Sequence, residues 1–194
     1  MTAKSKEKQV VAEVAMDNVI DVLHADHLTV ADLFFQFSQA KDNAEKEELV
    51  ATIISELATH AKVEEEIVYP IIREADEENE DIMDEADTEH HVIKFLLSEL
   101  SSMKADEDFY DSKVTVLCEL VNHHVQEEEK EVFEKLEKSG ADLEELGSAL
   151  LARKEELTNG RKPSVKNSMA ENSKEISEAK AKTKKSPKGK GKAD

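Results

Sequence analysis

HAKVEEEIVYPII at residues 60–72 and HVQEEEKEVFEKL at residues 124–136 align without a gap. Both begin with His, carry Glu four and five residues on, and then share a Val, an aromatic and an aliphatic residue at matching places. Residues four apart lie one above the other on one face of a helix, so His and Glu at this interval come within reach of the same ion. Working outward, each segment extends an apolar seam spaced by three and four. The first reads Val50, Ile53, Leu57, His60, Glu64, Ile67, Ile71, and the second reads Val114, Leu117, Val121, His124, Glu128, Val132. Two further seams complete the pattern. One runs Leu23, His27, Val30, Phe34, Phe37, and the other Met83, Ala86, His90, Ile93, Leu97, Leu100.

These seams predict helices over about 10–40, from Asp42 or Asn43 to about 75, around 83–100, and from about 114 to the break at Gly140. Asp142 is placed to cap a short fifth helix through about Leu157. Short connections make successive helices antiparallel, so the predicted fold is all-α, an up-down-up-down four-helix bundle with a short fifth helix. Composition agrees. Of 194 residues only 5 are Gly and 3 Pro, too few for the tight turns of a sandwich or barrel. A single Cys excludes an internal disulfide framework and a Cys-based zinc site. No apolar run approaches the roughly 18 residues a membrane span requires, and the N-terminus MTAKSKEKQVVAEVAMDNV has acids within its apolar stretch, unlike a secretory signal. A reducing cytoplasmic setting with no membrane contact is the expectation.

The net charge of -19 conceals two regions. Residues 161–194 hold 11 Lys and Arg against 4 acids, a surplus of seven positive charges, and the remainder is strongly acidic. The tail KTKKSPKGKGKAD cannot bury enough apolar surface to offset its ordering entropy, so it reads as disordered. Its charge suits nucleic acid, an acidic partner or plain solvation. The expected organisation is an extension and helix start at 1–17, one domain at 18–158, and a Lys-rich tail at 159–194.

The seams also place polar groups where a core should be. Every long helix puts a His there, and two add a Glu one turn later. A lone core His is unremarkable, and with 45 acids in 194 residues a single His-x-x-x-Glu decides little. Buried carboxylates are another matter, because an ionised one in a dry core is costly unless paired or bound to a cation. The intervals between His27, His60, His90 and His124 are 33, 30 and 34 residues, so antiparallel helices return them to a common depth. Together with the repeat, this is the layout of a carboxylate-bridged dinuclear metal centre. Imidazole with carboxylate favours iron, manganese or zinc over calcium, and the His-rich set fits iron best.

The segments DVLHADHLTVADLF, LATHAKVEEEIVYPII, DEADTEHHVIKFLL and KVTVLCELVNHHVQEEEKEVF, followed by ADLEELGSALLARKEEL, resemble the hemerythrin-like (HHE cation-binding) family in order and spacing over residues 18–158. The resemblance implies a bundle holding two non-haem iron ions, carboxylate-bridged, with or without an oxo or hydroxo bridge. It implies His27, His60, Glu64, His90, His124 and Glu128 as metal ligands, the two Glu bridging. It further implies binding of, or reaction with, oxygen, peroxide or nitric oxide in iron or redox stress. Oxygen carriers of that family have a fifth His one turn after the third-helix ligand, where this chain has Lys94. That departure favours reactive chemistry over reversible carriage. The competing readings are an acidic interaction protein whose basic tail docks nucleic acid or a partner, and an enzyme with catalase-like or iron-centre repair activity.

Neighbouring residues are assigned as follows. His24, one turn before His27, is either a ligand or a half-buried rim residue. His91 and His123 point away from the seam. Glu65 and Glu129, and Glu89 similarly, are expected to accept hydrogen bonds that orient ligand His. Tyr69 is expected to be a packed core aromatic, with proximity to the site as the alternative. Cys118 is expected to be a buried thiol.

Overall fold

The computed structural model describes residues 18–159. The expected disordered tail and the extension at 1–17, with the first turns of the predicted first helix, lie outside the described residues. Among the described residues the chain is helical throughout, without strands. Helix α1 spans Val19–Gln39. Its start is set by Asn18, whose side-chain oxygen accepts from the amides of Ile20 and Asp21 at 2.9 and 3.1 Å. Asp42 caps α2, Asn43–Val63, by accepting from the Glu45 amide at 2.9 Å. A π-helical turn over Glu64–Val68 joins α2 to α3, Tyr69–Ala75. A short 3-10 turn then leads into α4, Glu80–Leu100. Helix α5, Tyr110–Glu127, passes through a second π turn, Glu128–Val132, into α6, Phe133–Lys138. Gly140, with φ of 78°, breaks the chain there. Asp142 then accepts from the amides of Glu144 and Glu145, at 3.1 Å each, to open α7, Leu143–Asn159.

The apolar interior is divided into two clusters. One gathers Val19, Leu23, Val63, Tyr69, Ile72, Met83, Val132, Leu136 and Leu150. The other gathers Val30, Phe34, Ile53, Leu57, Ile93, Leu97, Leu117 and Val121. Helices α1 and α4 run from the first cluster to the second, whereas α2 and α5 run back. The long helices therefore alternate in direction, which is the predicted up-down-up-down order. On each of the four long helices a buried His lies between the clusters, and Glu64 and Glu128 follow one turn after the His of α2 and α5. Helix α7 packs on the first cluster through Leu150. Its Gly147 lies so close to the start of α1 that an added Cβ would sit 2.8 Å from the Asn18 carbonyl carbon, inside contact distance.

One seam departs from expectation. After Glu64 the buried residues are Val68, Tyr69 and Ile72, whereas the predicted Ile67 and Ile71 are only half-buried. The π turn is the cause. Its hydrogen bonds reach one residue further than in an α-helix, so the following turns rotate and the inward face moves on by one. Pro70 does not impose this turn, because the second segment makes the same turn with Glu134 in the matching place. Cys118 also departs from expectation, being half-buried, with the Asn122 amide nitrogen 3.4 Å from its sulfur.

Candidate metal centre

The six expected residues meet in one layer. His27, His60, Glu64 and Glu128 are all buried, and each offers a ligand atom within 4.8 Å of the others. Glu64, His90 and His124 form a second such group, with Glu64 common to both. The two Glu64 oxygens divide between the groups, with Oε1 3.1 Å from His60 Nε2 and Oε2 3.4 Å from His90 Nε2. Glu128 Oε2 lies 3.1 Å from His27 Nε2 and 3.9 Å from His124 Nε2. Each carboxylate thus stands between a His of one helical pair and a His of the other.

All four imidazoles are turned the same way. Each directs Nδ1 outward to a carboxylate: His27 to Glu129 at 2.8 Å, His60 to Asp26 at 3.2 Å, His90 to Glu65 at 3.0 Å, and His124 to Glu89 at 2.7 Å. An ionised carboxylate only accepts, so each Nδ1 donates, and each Nε2 is left facing the centre. The Nε2 atoms meet in pairs, 3.2 Å apart for His27 with His60 and 3.1 Å for His90 with His124. Two unprotonated nitrogens repel at that range, so the arrangement calls for a proton or a cation.

The orientation follows a pseudo-twofold rule. A His on α1 or α4 uses the acid just after the Glu of the opposite segment. A His on α2 or α5 uses the acid just before the His of its neighbouring helix. Glu65, Glu129 and Glu89 were legible from the sequence. Asp26 was not singled out, yet Asp26-His27 and Glu89-His90 are the same acid-His pair, and that parallel was the available signal.

Among the described residues, none of the four carboxylate oxygens of Glu64 and Glu128 receives a hydrogen bond of acceptable geometry, although these residues are 0% and 1% exposed. Burial works against charging His60, but Glu64 and Asp26 outweigh it and hold its pKa well above the ordinary value. His27 is raised likewise against burial by Glu128 and Glu129, and His90, against burial, is pushed up to about 9 by Glu64 and Glu65. Burial would raise Glu64, but His60 and His90 keep its carboxyl well below the usual range. Burial and the charge of Glu64 push Glu128 up. Positive charge is therefore demanded at the centre, and protons on imidazole supply it when no cation does. Orphaned carboxylate oxygens facing convergent Nε2 atoms are the donor set for borderline transition metals, so the residues present fit such ions.

The surroundings are mixed. Val30, Leu57, Ile93 and Val121 wall a cavity of about 20 Å³ over the His layer. Tyr69, expected mainly as core packing, is both buried and at the site. Its ring stacks on His90 with centroids 5.5 Å apart, and its hydroxyl lies 3.4 Å from His90 Nε2. Burial, together with Glu64 and Glu128, keeps that phenol protonated. Lys94 is turned outward and pairs with Glu65, bracing the acid that orients His90. His24 is exposed and bonds Glu129 at 2.9 Å, as a rim residue does. His91 and His123 are exposed.

Residues 18–136 match the sequence profile of the Hemerythrin HHE cation binding domain. A DNA nickase of Nostoc sp. is 29% identical over 118 residues, which are 60% of this chain but only 32% of that protein. An uncharacterized hemerythrin-like protein of Schizosaccharomyces pombe is 27% identical over 135 residues, 69% of this chain and 66% of the yeast protein. The chain thus spans about a third and just under two thirds of these relatives. In fold it is similar to the crystal structure of a hemerythrin HHE cation binding domain-containing protein from Mycobacterium kansasii. The TM-score is 0.64 at 24% identity, covering 74% of this chain and 88% of that one.

Proposed function

The chain belongs to the hemerythrin HHE cation-binding domain family, and on that premise we propose that it is a non-haem di-iron protein that binds or reacts with dioxygen, peroxide or nitric oxide. In this reading His27, His60, His90 and His124, with Glu64 and Glu128, would hold the ions. The observation that carries it is the set of four buried carboxylate oxygens without hydrogen bonds, facing four Nε2 atoms. Two iron ions held there would supply redox chemistry toward small oxygen- and nitrogen-containing ligands.

The protein's own part is positioning and exclusion. Asp26, Glu65, Glu89 and Glu129 hold the imidazoles in the tautomer that presents Nε2 inward. The small apolar cavity of about 20 Å³ beside the four His has room for little more than a water-sized molecule. Tyr69 keeps a proton on its hydroxyl beside His90.

Anaerobic reconstitution with Fe(II), followed by metal analysis and a near-ultraviolet spectrum in air, tests this reading. The expected result is about two iron ions per chain, one for each of the two ligand groups that share Glu64. A folded protein that takes up no iron would overturn it. A second reading concerns the tail, whose seven surplus positive charges favour a polyanionic partner without any role for the metal.

A further inference from the structure

The pseudo-twofold orientation holds for all four His, but the two halves differ outside the buried layer. Outside the buried layer, Glu89, His123 and Glu127 converge on the α4–α5 side. His123 Nε2 is 3.5 Å from Glu89 Oε1 and 3.5 Å from Glu127 Oε1. The same Glu89 accepts from His124 Nδ1 through its other oxygen, so one carboxylate touches both the surface group and the buried layer. His123 and Glu127 side chains are 60% and 43% exposed. In the gap-free alignment of the two repeats, their counterparts are Thr59 and Val63, both buried. Leu150 joins the cluster containing Val63, and Lys154 pairs with Asp26, the counterpart of Glu89.

Beside Glu89 and Glu127 lies a narrow cavity of about 10 Å³, lined also by Ala86, His124 and Glu128. Glu128 is 1% exposed, and neither of its oxygens has a hydrogen-bond partner among the described residues. The cavity thus adjoins the partly exposed Glu89 and Glu127 as well as the buried, unsatisfied Glu128. Its volume is about that of a single water, so a hydrated ion does not fit. A cation using it must exchange water for protein ligands at the mouth. One imidazole with two carboxylates suits a divalent transition metal, whereas Mg²⁺ gives up its water reluctantly.

We infer that Glu89, His123 and Glu127 form a surface landing site where a divalent transition-metal ion is captured and partly dehydrated before passing along the Glu128 cavity into the buried centre. The site acts on the rate of loading and leaves the equilibrium content of the centre unchanged. The inference rests on the centre being a metal site, as proposed above.

Stopped-flow mixing of the full chain with Co(II), followed by its visible d–d absorption, reads both quantities separately. The paired substitution His123→Ala with Glu127→Gln alters exposed side chains and leaves Glu89 to orient His124. At limiting Co(II) its loading should slow about tenfold, the lower end of what a charged cleft contributes to capture. The final absorbance and the Co(II) content per chain should match the unaltered protein. The control Glu144→Gln with Glu145→Gln removes charge from exposed positions on α7 and should load at the original rate. Equal rates for the unaltered chain and the His123/Glu127 variant would overturn the inference, as would an equal slowing in the control. An unaltered chain with no Co(II) absorption at all would instead remove the buried centre, and the landing site with it, a result distinct from unchanged kinetics.

Discussion

His90 shows what a single residue in this layer must reconcile. It is buried against Tyr69, donates to Glu65, and directs Nε2 at Glu64. Without metal, protonation satisfies the carboxylates, which is why its pKa is pushed up to about 9. The linkage has a definite sign. A raised His pKa stabilises the fold fully below the ordinary value near 6.5, and that contribution is lost as pH rises through about 9. His27 and His60 are also raised, and the raised Glu128 acts in the same sense, because its protonated form is favoured in the folded chain. Glu64, held low, contributes above the usual carboxylate range and fails only as pH falls toward its own depressed value. The metal-free protein should therefore lose thermal stability between about pH 6.5 and 9. Metal binding reverses the trend, because ligand His must be neutral, and metal should be released below about pH 6.5. Melting curves and metal content across pH check both halves. A metal-free Tm that climbs steadily from 6.5 to 9, or metal retained down to about pH 4, would contradict this charge balance.

At the scale of the element, the two π turns matter most. A seam spaced by three and four through Glu64 selects Ile67 and Ile71, whereas the structure buries Val68, Tyr69 and Ile72. Helical periodicity assumes a constant turn, and an extra residue in one turn defeats it. The repeat contained the better signal, since Val68, Tyr69 and Ile72 match Val132, Phe133 and Leu136, all of them buried. The rotation also carries the Tyr69 hydroxyl to His90 Nε2. Truncation distinguishes the two registers. Ile72→Ala should cost about 2–5 kcal/mol in chemical denaturation, as buried Ile does, and Ile71→Ala clearly less. Equal costs, or a larger one at Ile71, would mean that the helix does not shift its register there.

For the whole molecule, the apolar interior is two cores with an ionisable layer between them, at the level where a simple bundle would continue its hydrophobic packing. The bundle tolerates this only because each buried carboxylate has imidazole on both sides, and each imidazole has a carboxylate behind it. Charge is also divided along the chain. An acidic domain is joined to a tail with seven surplus positive charges. If the tail serves a polyanion, the full chain should bind duplex DNA with an affinity that falls steeply with salt, and a chain ending at Asn159 should not. Equal binding by both chains, or binding indifferent to salt, would remove the tail from that role.

The sequence by itself determined the number and direction of the long helices, the cap at Asp142, the choice of Asp42 or Asn43 to cap α2, and the His and Glu of the layer. These follow from local spacing, and a polar residue in an apolar seam stands out without coordinates. It also held the acids next to those residues, all but Asp26 singled out. Tertiary structure alone decided which acid faces which His, that Tyr69 reaches the centre, and that Lys154 of α7 pairs with Asp26 while His123 beside Glu89 stays exposed. Each of these depends on the rotation of one helix against another. That rotation was set by π turns and close packing, and neither leaves a periodic trace in a single helix.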